Sequence, residues 1–229
     1  KLTENKDFTI SASTNGGKSV YTITAESGLK NISAFRLEAL TGKPMPKMGP
    51  GWNTDGNFVV SEFEVFVAPR SDPKKMTKVV LEKGAADFEQ ASFTIGNAIN
   101  GKIDTRDGWA VSPNGGMGHW ATFQAKQAIQ NDKGSIITIK IHQIFQNKGT
   151  FRLGKFRLAL AAHAKPTGLS VSDELAGLLK IPAAKRDDKQ KAALTKIYGV
   201  TDKELGKRTA ALAVAKKAPV HERRSGPLA

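Results

Sequence analysis

The chain has 229 residues, no cysteine and a formal net charge of +14, from 35 Lys and Arg residues against 21 Asp and Glu residues. This length suits one full hydrophobic core with a small appendage. The lack of cysteine excludes disulfides, thiolate zinc sites, iron–sulfur clusters and a cysteine nucleophile. No apolar run approaches the roughly 20 residues of a membrane-spanning helix, so we expect no membrane span.

The positive charge is spread along the chain, because residues 1–165 carry +8 of it and residues 166–229 carry +6. Such a bias favours polyanionic partners, namely nucleic acid, an anionic membrane surface or an acidic or sulfated polysaccharide. The alternative is a surface that uses lysine only for solubility. Basic residues are not interleaved with aromatic residues, and no helix-turn-helix pattern is present, so specific nucleic-acid binding is not expected.

Seven segments before about residue 160 have the short, alternating apolar pattern of half-buried antiparallel strands. They are residues 21–25, 34–40, 58–67, 76–81, 120–123, 136–141 and 156–160. In the third segment, Phe63, Val65 and Val67 fall on one face while Glu62 and Glu64 fall on the other. Turns rich in Gly, Pro and Asn separate the segments. The pattern predicts an antiparallel β-sandwich of the jelly-roll or immunoglobulin type over residues 1–164.

A helical pattern follows the predicted sandwich. Helix starts are predicted at Ser172, Asp187 and Thr201, where polar residues with capping spacing precede apolar stretches. We therefore expect a small α-helical segment over residues 167–216, which is too small to be stable without packing against other chain. Residues 217–229 are expected to be a linker or a disordered tail.

The densest set of polar side chains lies in residues 98–109. Side-chain oxygens of Asn100 and Asp104, with carbonyl groups exposed by a glycine turn, are hard ligands that suit Ca²⁺. The segment lacks the acidic series of an EF-hand, and a solvated turn without a metal is the alternative. Trp109, at the end of the segment, is expected to be a core residue beneath the loop.

This loop also carries a resemblance to a known family. The string A-I-N-G-K-I-D-T-R-D-G-W-A-V at residues 98–111, followed by G-H-W-A-T-F at residues 118–123, resembles the A-x-D-G-x-x-x-T-x-W loop and next strand of discoidin-like, galactose-binding-like modules. With S-E-F-E-V at residues 61–65 and L-G-K-F-R-L at residues 153–158, the chain is similar to a module of large secreted planctomycete cytochrome-c-type proteins. The run I-P-A-A-K-R at residues 181–186 resembles the helical segment that follows that module, and the resemblance covers most of residues 20–215.

The resemblance implies a non-catalytic carbohydrate-binding module of a secreted, periplasmic or cell-surface protein. Its expected partners are a polysaccharide, with acidic and sulfated ones among the candidates, and other domains of the parent protein. It also implies a structural Ca²⁺ held by Asn100, Asp104 and Thr105, with Glu62 or Glu64 completing the ligand set. Two departures from the family pattern are that Asn100 stands in place of an Asp and that the E-x-E-V strand precedes the loop.

Sugar binding needs a flat apolar ring with polar groups beside it. Trp52 is the candidate ring, because its loop is rich in Gly, Pro and polar residues. Arg106 suits a carboxylate or sulfate group, and His119 lies in another loop that could reach the same edge. The alternatives are that Trp52 anchors its loop and that His119 is a structural histidine.

No enzymatic activity is expected. The histidines have no H-E-x-x-H spacing, and the chain has no G-x-S-x-G motif, P-loop or dinucleotide-binding fingerprint. Glu62 and Glu64 form a carboxylate pair, but exposed strand faces carry such pairs routinely. The alternative to sugar binding is a structural or protein-interaction module that holds neighbouring domains together.

Overall fold

A computed structural model describes residues 1–13, 18–147, 150–162, 178 and 181–201. Over these residues the protein is mainly β, with antiparallel sheets and one α-helix. The chain divides into two compact units, Lys1–Gly168 and Leu169–Ala229. The predicted mainly β class with a small helical part is thereby confirmed.

The first unit contains one six-stranded sheet, one four-stranded sheet and one two-stranded pair, all antiparallel. In chain order the strands are β1 (Leu2–Glu4), β2 (Ile10–Ala12), β3 (Ser19–Ser27), β4 (Ile32–Ala39), β5 (Val59–Val60), β6 (Glu62–Pro69), β7 (Thr77–Val79), β8 (Leu81–Ala86), β9 (Trp109–Ala110), β10 (His119–Ile129), β11 (Ser135–Gln143) and β12 (Lys155–Ala161). The six-stranded sheet has the order β1-β2-β12-β4-β10-β8, and the four-stranded sheet has the order β3-β11-β6-β7. Strands β5 and β9 pair with each other.

The two larger sheets pack face to face through aromatic side chains. Tyr21 of β3 stacks on Phe156 of β12 at a centroid distance of 5.8 Å, and Phe63 of β6 stacks on Phe123 of β10 at 4.0 Å. Phe63 and Val65 are fully buried, as the alternation in β6 predicts. This shared core holds the sheets together, because apolar area removed from water is the main stabilising contribution to folding.

Each of the seven predicted segments contains strand residues, but residues 58–67 divide into β5 and β6, and the prediction missed β1, β2, β9 and all of β8 except its first residue. Strands β1 and β2 have three residues each and β9 has two, so their alternation is too brief to stand out. Leu2 and Ile10 nevertheless pack against the core. The hairpin of β1 and β2 thus extends the larger sheet at one edge.

The described part of the second unit contains helix α1 (Asp188–Thr201). Its predicted start is confirmed, because the Gln190 N–H donates to Asp187 Oδ1 at 2.8 Å and the Asp187 N–H donates to Gln190 Oε1 at 3.0 Å. This reciprocal pair is a capping box. The helices predicted from Ser172 and after Thr201, and the tail at residues 217–229, lie outside the described residues. No helix in the described ranges is long and apolar enough to cross a membrane.

Candidate functional site

The loop at residues 100–108 lies directly against the junction of β5 and β6. Gly108 has a φ of +144°, and a Cβ atom added there would collide with the carbonyl oxygen of Val60. Because of this collision, glycine is required at position 108 for the loop to approach the strand. At the other end of the loop, the Asn100 side-chain oxygen accepts a hydrogen bond from the Lys102 N–H at 2.8 Å.

Glu62, the first residue of β6, joins the strand to this loop. Its Oε1 accepts a hydrogen bond from the Gly101 N–H at 3.2 Å, whereas its Oε2 is buried without a hydrogen-bond partner. Burial raises the pKa of Glu62 to about 7. The negative charges of Glu64 and Asp107 also raise this pKa, whereas the hydrogen bond from the Gly101 N–H and the positive charge of Lys78 lower it. A carboxyl group in this setting needs either a proton or a cation to compensate its charge.

Asp107 supplies a second carboxyl group that the sequence analysis did not select. Its Oδ1 is buried without a hydrogen-bond partner, and its Oδ2 lies 3.5 Å from the Asn100 side-chain nitrogen. The residue belongs to the same string that suggested the metal site, two positions before the buried Trp109. Its position next to that core residue was the signal that could have identified it.

The donor atoms of these groups are of the types that Ca²⁺ binds. Ca²⁺ binds six to eight oxygen atoms, including carboxylate, amide and main-chain carbonyl oxygens. Glu62 and Asp107 would contribute the two unpartnered carboxylate oxygens, and Asn100 and the carbonyl groups of its loop would contribute neutral ones. No three His, Asp or Glu side chains within the described ranges are grouped to hold a metal ion, so neutral oxygens or water would complete the shell.

A cavity of about 350 Å³ lies beside Glu62. Its walls include Glu62, Glu64 and Lys78 on the strand side and Asn100 and Gly101 on the loop side. Glu62 therefore lines a cavity between β6 and the loop at residues 100–108.

Two of the other predicted ligands are engaged elsewhere. Asp104 pairs with Arg106 through two contacts, at 3.2 Å from Nε and 3.0 Å from Nη2, and these hydrogen bonds hold the pKa of Asp104 below its usual range. Glu64 accepts from Lys78 Nζ through Oε1 and contacts His142 Nε2 through Oε2, each at 2.7 Å. Of the two glutamates, Glu62 is the one with a carboxylate oxygen that accepts no hydrogen bond.

The contact described for Thr105, another predicted ligand, is made by its main chain. Its carbonyl oxygen accepts a hydrogen bond from the Gln146 N–H at 2.6 Å. This bond fastens the loop to the segment that follows β11. Thr105 thereby helps to position the loop that carries Asn100 and Asp107.

Trp52 is half-buried, and its contacts are those of a loop anchor. Its backbone N–H donates to the Arg152 carbonyl oxygen at 2.9 Å, and its indole Nε1 is buried without a hydrogen-bond partner. The indole also approaches Gly154 closely enough to restrict any side chain there. This geometry favours the anchoring alternative over an open sugar platform.

His119 is buried and bonded at both ring nitrogens. Nδ1 lies 2.9 Å from Asp87 Oδ2, and Nε2 lies 3.0 Å from the Asn114 carbonyl oxygen. The carbonyl and the carboxylate are both hydrogen-bond acceptors, so the imidazole ring of His119 can donate to both only when both of its nitrogens are protonated. Burial lowers the pKa of His119, but the bonds to Asp87 and Asn114 and the charge of Asp87 outweigh it and raise the pKa above its usual value.

The charge of His119 should therefore stabilise the fold at low pH. Because its folded-state pKa is raised, this contribution is complete below the unfolded pKa of about 6.5 and is lost as pH rises through the folded value. NMR titration of the imidazole should give a pKa above 6.5 in the unmodified protein, and Asp87→Asn should lower it. A titration midpoint below 6.5 before any substitution would contradict this account.

Arg106 is exposed, with 86% of its side chain accessible, but it is paired with Asp104. The three predicted sugar-binding residues each contact other groups, and none of the described contacts joins one of them to another. That Trp52, Arg106 and His119 form one sugar site stays a prediction.

Comparisons of the chain with protein-family models, curated proteins and solved structures found no match. The functional interpretation consequently rests on the sequence resemblance and on the geometry of the loop at residues 100–108.

Proposed function

We propose that residues 1–164 are a non-catalytic carbohydrate-binding module with a discoidin-like, jelly-roll architecture, and that it serves a larger exported protein. The observation that carries the proposal is the hydrogen bond between the Gly101 N–H and Glu62 Oε1. It joins the N-G-x-x-D loop to the E-x-E-V strand, the two motifs on which the resemblance depends. The ligand is a polysaccharide.

Ca²⁺ has a structural role in this proposal. Bound by Glu62 and Asp107 with Asn100, the ion would compensate two buried carboxyl groups and fix the loop against β6. Rigid loops bind with a smaller loss of conformational entropy, so the ion would also favour ligand binding.

Affinity electrophoresis with neutral, uronic-acid and sulfated polysaccharides tests the function. We expect retardation in at least one gel that persists at 0.3 M NaCl. DNA at two salt concentrations serves as the control, because equal binding to DNA and to acidic polysaccharide would indicate simple polyanion attraction. No retardation by any polysaccharide would overturn the proposed function.

One feature favours the alternative of a structural or protein-interaction module. Strand β3 pairs with β11 over nine residues without a bulge and ends the four-stranded sheet. Thr22, Thr24 and Glu26 are exposed on it. Within the described ranges no strand pairs with the outer edge of β3, and a long edge strand can accept a strand from another chain. Self-association or binding to other domains of the parent protein, with no response to any polysaccharide, would support this function instead.

A further inference from the structure

The outer face of the six-stranded sheet carries an unusual row of side chains. Glu38 of β4 lies opposite Trp120 of β10 on one side and opposite Arg157 of β12 on the other. Arg36 lies two residues before Glu38, on the same face. The intervening Leu37 is fully buried in the core, so these four side chains lie on the face away from it. We call Arg36, Glu38, Trp120 and Arg157 the arginine–tryptophan face.

Both arginines bind the same carboxyl group. Arg36 Nε donates to Glu38 Oε1 at 2.8 Å, and Arg157 Nε donates to Glu38 Oε2 at 2.7 Å. The Nη2 of Arg157 also lies 2.6 Å from Oε2. Two guanidinium groups therefore share one carboxylate, and one positive charge within the arginine–tryptophan face has no counter-charge.

This excess charge is only partly exposed to solvent. The side chains of Arg36 and Glu38 are 14% and 17% exposed, and Arg36 Nη2 is buried without a hydrogen-bond partner. Arg157 is 37% exposed and has five N–H donors, of which Glu38 uses those on Nε and Nη2. Because the single charge of Glu38 compensates only one of the two guanidinium groups, an anion brought to the exposed part of Arg157 would compensate the second.

Trp120 provides an aromatic ring beside this charge. The guanidinium carbon of Arg36 lies 4.6 Å from the centroid of the ring, which is within the range of a cation–π contact. The backbone N–H of Trp120 donates to Asp87 Oδ1 at 2.8 Å. Arg36 thus contacts the ring and Asp87 fixes the main chain of Trp120, and the residue is only half-buried. A positioned aromatic surface next to an arginine suits a ring that carries an anionic group.

We propose that the arginine–tryptophan face is the polysaccharide-binding site and that it recognises an acidic polysaccharide, with a carboxylate bound to Arg157 and a sugar ring stacked on Trp120 on the other side of Glu38. This inference rests on the proposed function and deepens it by naming the site and the substrate class. It places the site on strands of the six-stranded sheet and not in the loops that hold Trp52 and Arg106. The shared chemistry is an anionic group on a sugar, so a sulfate group is the competing source.

The probe is polygalacturonate, and its fully methyl-esterified form is the matched neutral control. The unmodified protein should bind the free acid at least about ten-fold more tightly than the ester, as expected for a charge-assisted hydrogen bond. Dextran sulfate and neutral dextran form the second pair, which shows whether the protein prefers a sulfate group to a carboxylate. Equal affinity for the acid and the ester would overturn recognition of a carboxylate, and a preference for the sulfate pair alone would do the same.

Four substitutions locate the site. Arg157→Gln should lower the affinity for polygalacturonate about ten-fold, and Arg157→Lys should recover only part of it, since lysine lacks the two-pronged geometry. Arg70→Gln is the matched control, because Arg70 is a similarly exposed arginine that pairs with Glu26 near the other sheet. Trp52→Ala tests the loop site. Melting curves confirm that each variant is folded.

The outcomes separate the inference from the proposed function. If Arg157→Gln and Arg70→Gln weaken binding equally, diffuse charge explains the result and the inference is wrong. If Trp52→Ala alone abolishes binding, the sugar binds at the loop edge; the inference is wrong and the proposed function stands. If the unmodified protein binds no polysaccharide, both are overturned.

Discussion

Saturating Ca²⁺ is expected to raise the melting temperature of the protein by about 5–10 °C at pH 8. A ligand at about 100 times its Kd stabilises a folded protein by about 2.7 kcal/mol, and each kcal/mol shifts the melting temperature of a domain this size by about 2–4 °C. The shift should disappear in Glu62→Gln, because the substitution removes a charged ligand from the buried position. Differential scanning fluorimetry with EDTA and then Ca²⁺ measures it.

The same residue should make the response depend on pH. Without metal, folding raises the pKa of Glu62 from 4.5 to about 7, so the folded state holds the proton more tightly. The free energy of unfolding should therefore decrease as pH rises from about 4.5 to 7. Ca²⁺ competes with this proton, so its stabilising effect should be larger at pH 8 than at pH 6. Glu62→Gln should reduce both dependences.

The matched control is Glu82→Gln, which removes one exposed carboxylate from β8. It should leave the Ca²⁺ shift intact. Asp107→Asn tests the second ligand and should weaken the shift. An unchanged melting temperature of the unmodified protein on addition of Ca²⁺ at pH 8 would exclude the metal site, and an equal loss in Glu82→Gln would indicate nonspecific binding.

Trp109→Ala is expected to cause the largest loss of stability of any change near the loop. Trp109 is fully buried, packs edge-on against Phe58 at 5.0 Å, and donates from its indole to the Phe88 carbonyl oxygen at 3.0 Å. Removing a buried aromatic side chain of this size costs about 3–5 kcal/mol. The melting temperature should fall by roughly 6–20 °C, as measured by circular dichroism.

Trp109→Phe serves as the comparison, since it keeps the ring contact and loses the hydrogen bond. It should cost less than the alanine variant. A Trp109→Ala protein that melts within 2 °C of the unmodified protein would show that the loop does not rest on this residue, contrary to its burial.

The sequence predicted those features that depend on neighbours along the chain. The alternation at residues 62–67 indicated strand β6 and its buried face, and the spacing of Asp187 and Gln190 indicated the start of α1. The loop at residues 98–109 was selected as a candidate calcium site from its composition and from the resemblance. In each case the physical cause is local, because side-chain alternation and helix capping act over two to four residues.

Features that depend on strand pairing could not be predicted in this way. Asp87 and His119 are 32 residues apart and meet because β8 and β10 are neighbours. Arg157 reaches Glu38 only through the register of β12 on β4. A register shift of one residue would move either side chain to the opposite face, and the sequence pattern does not specify which strands pair.

The choice between Asp104 and Asp107 as the buried carboxyl also depends on structure. Both follow Asn100 in the same string, and the resemblance favoured Asp104. Asp107 is the one with a buried, unpartnered oxygen, because Gly108 and Trp109 draw that end of the loop toward the core. Asp104 instead pairs with the exposed Arg106.

The close approach of Gly108 to Val60 has an evolutionary consequence. Any side chain at position 108 would collide with the main chain of the neighbouring strand, so relatives that keep this loop should keep glycine there. Gly101 also has a positive φ, +79°, but no atom lies within 4 Å of the position of its Cβ. Asparagine or aspartate, which tolerate that conformation, could replace it. Divergence in this lineage should therefore accumulate at position 101 before it reaches position 108.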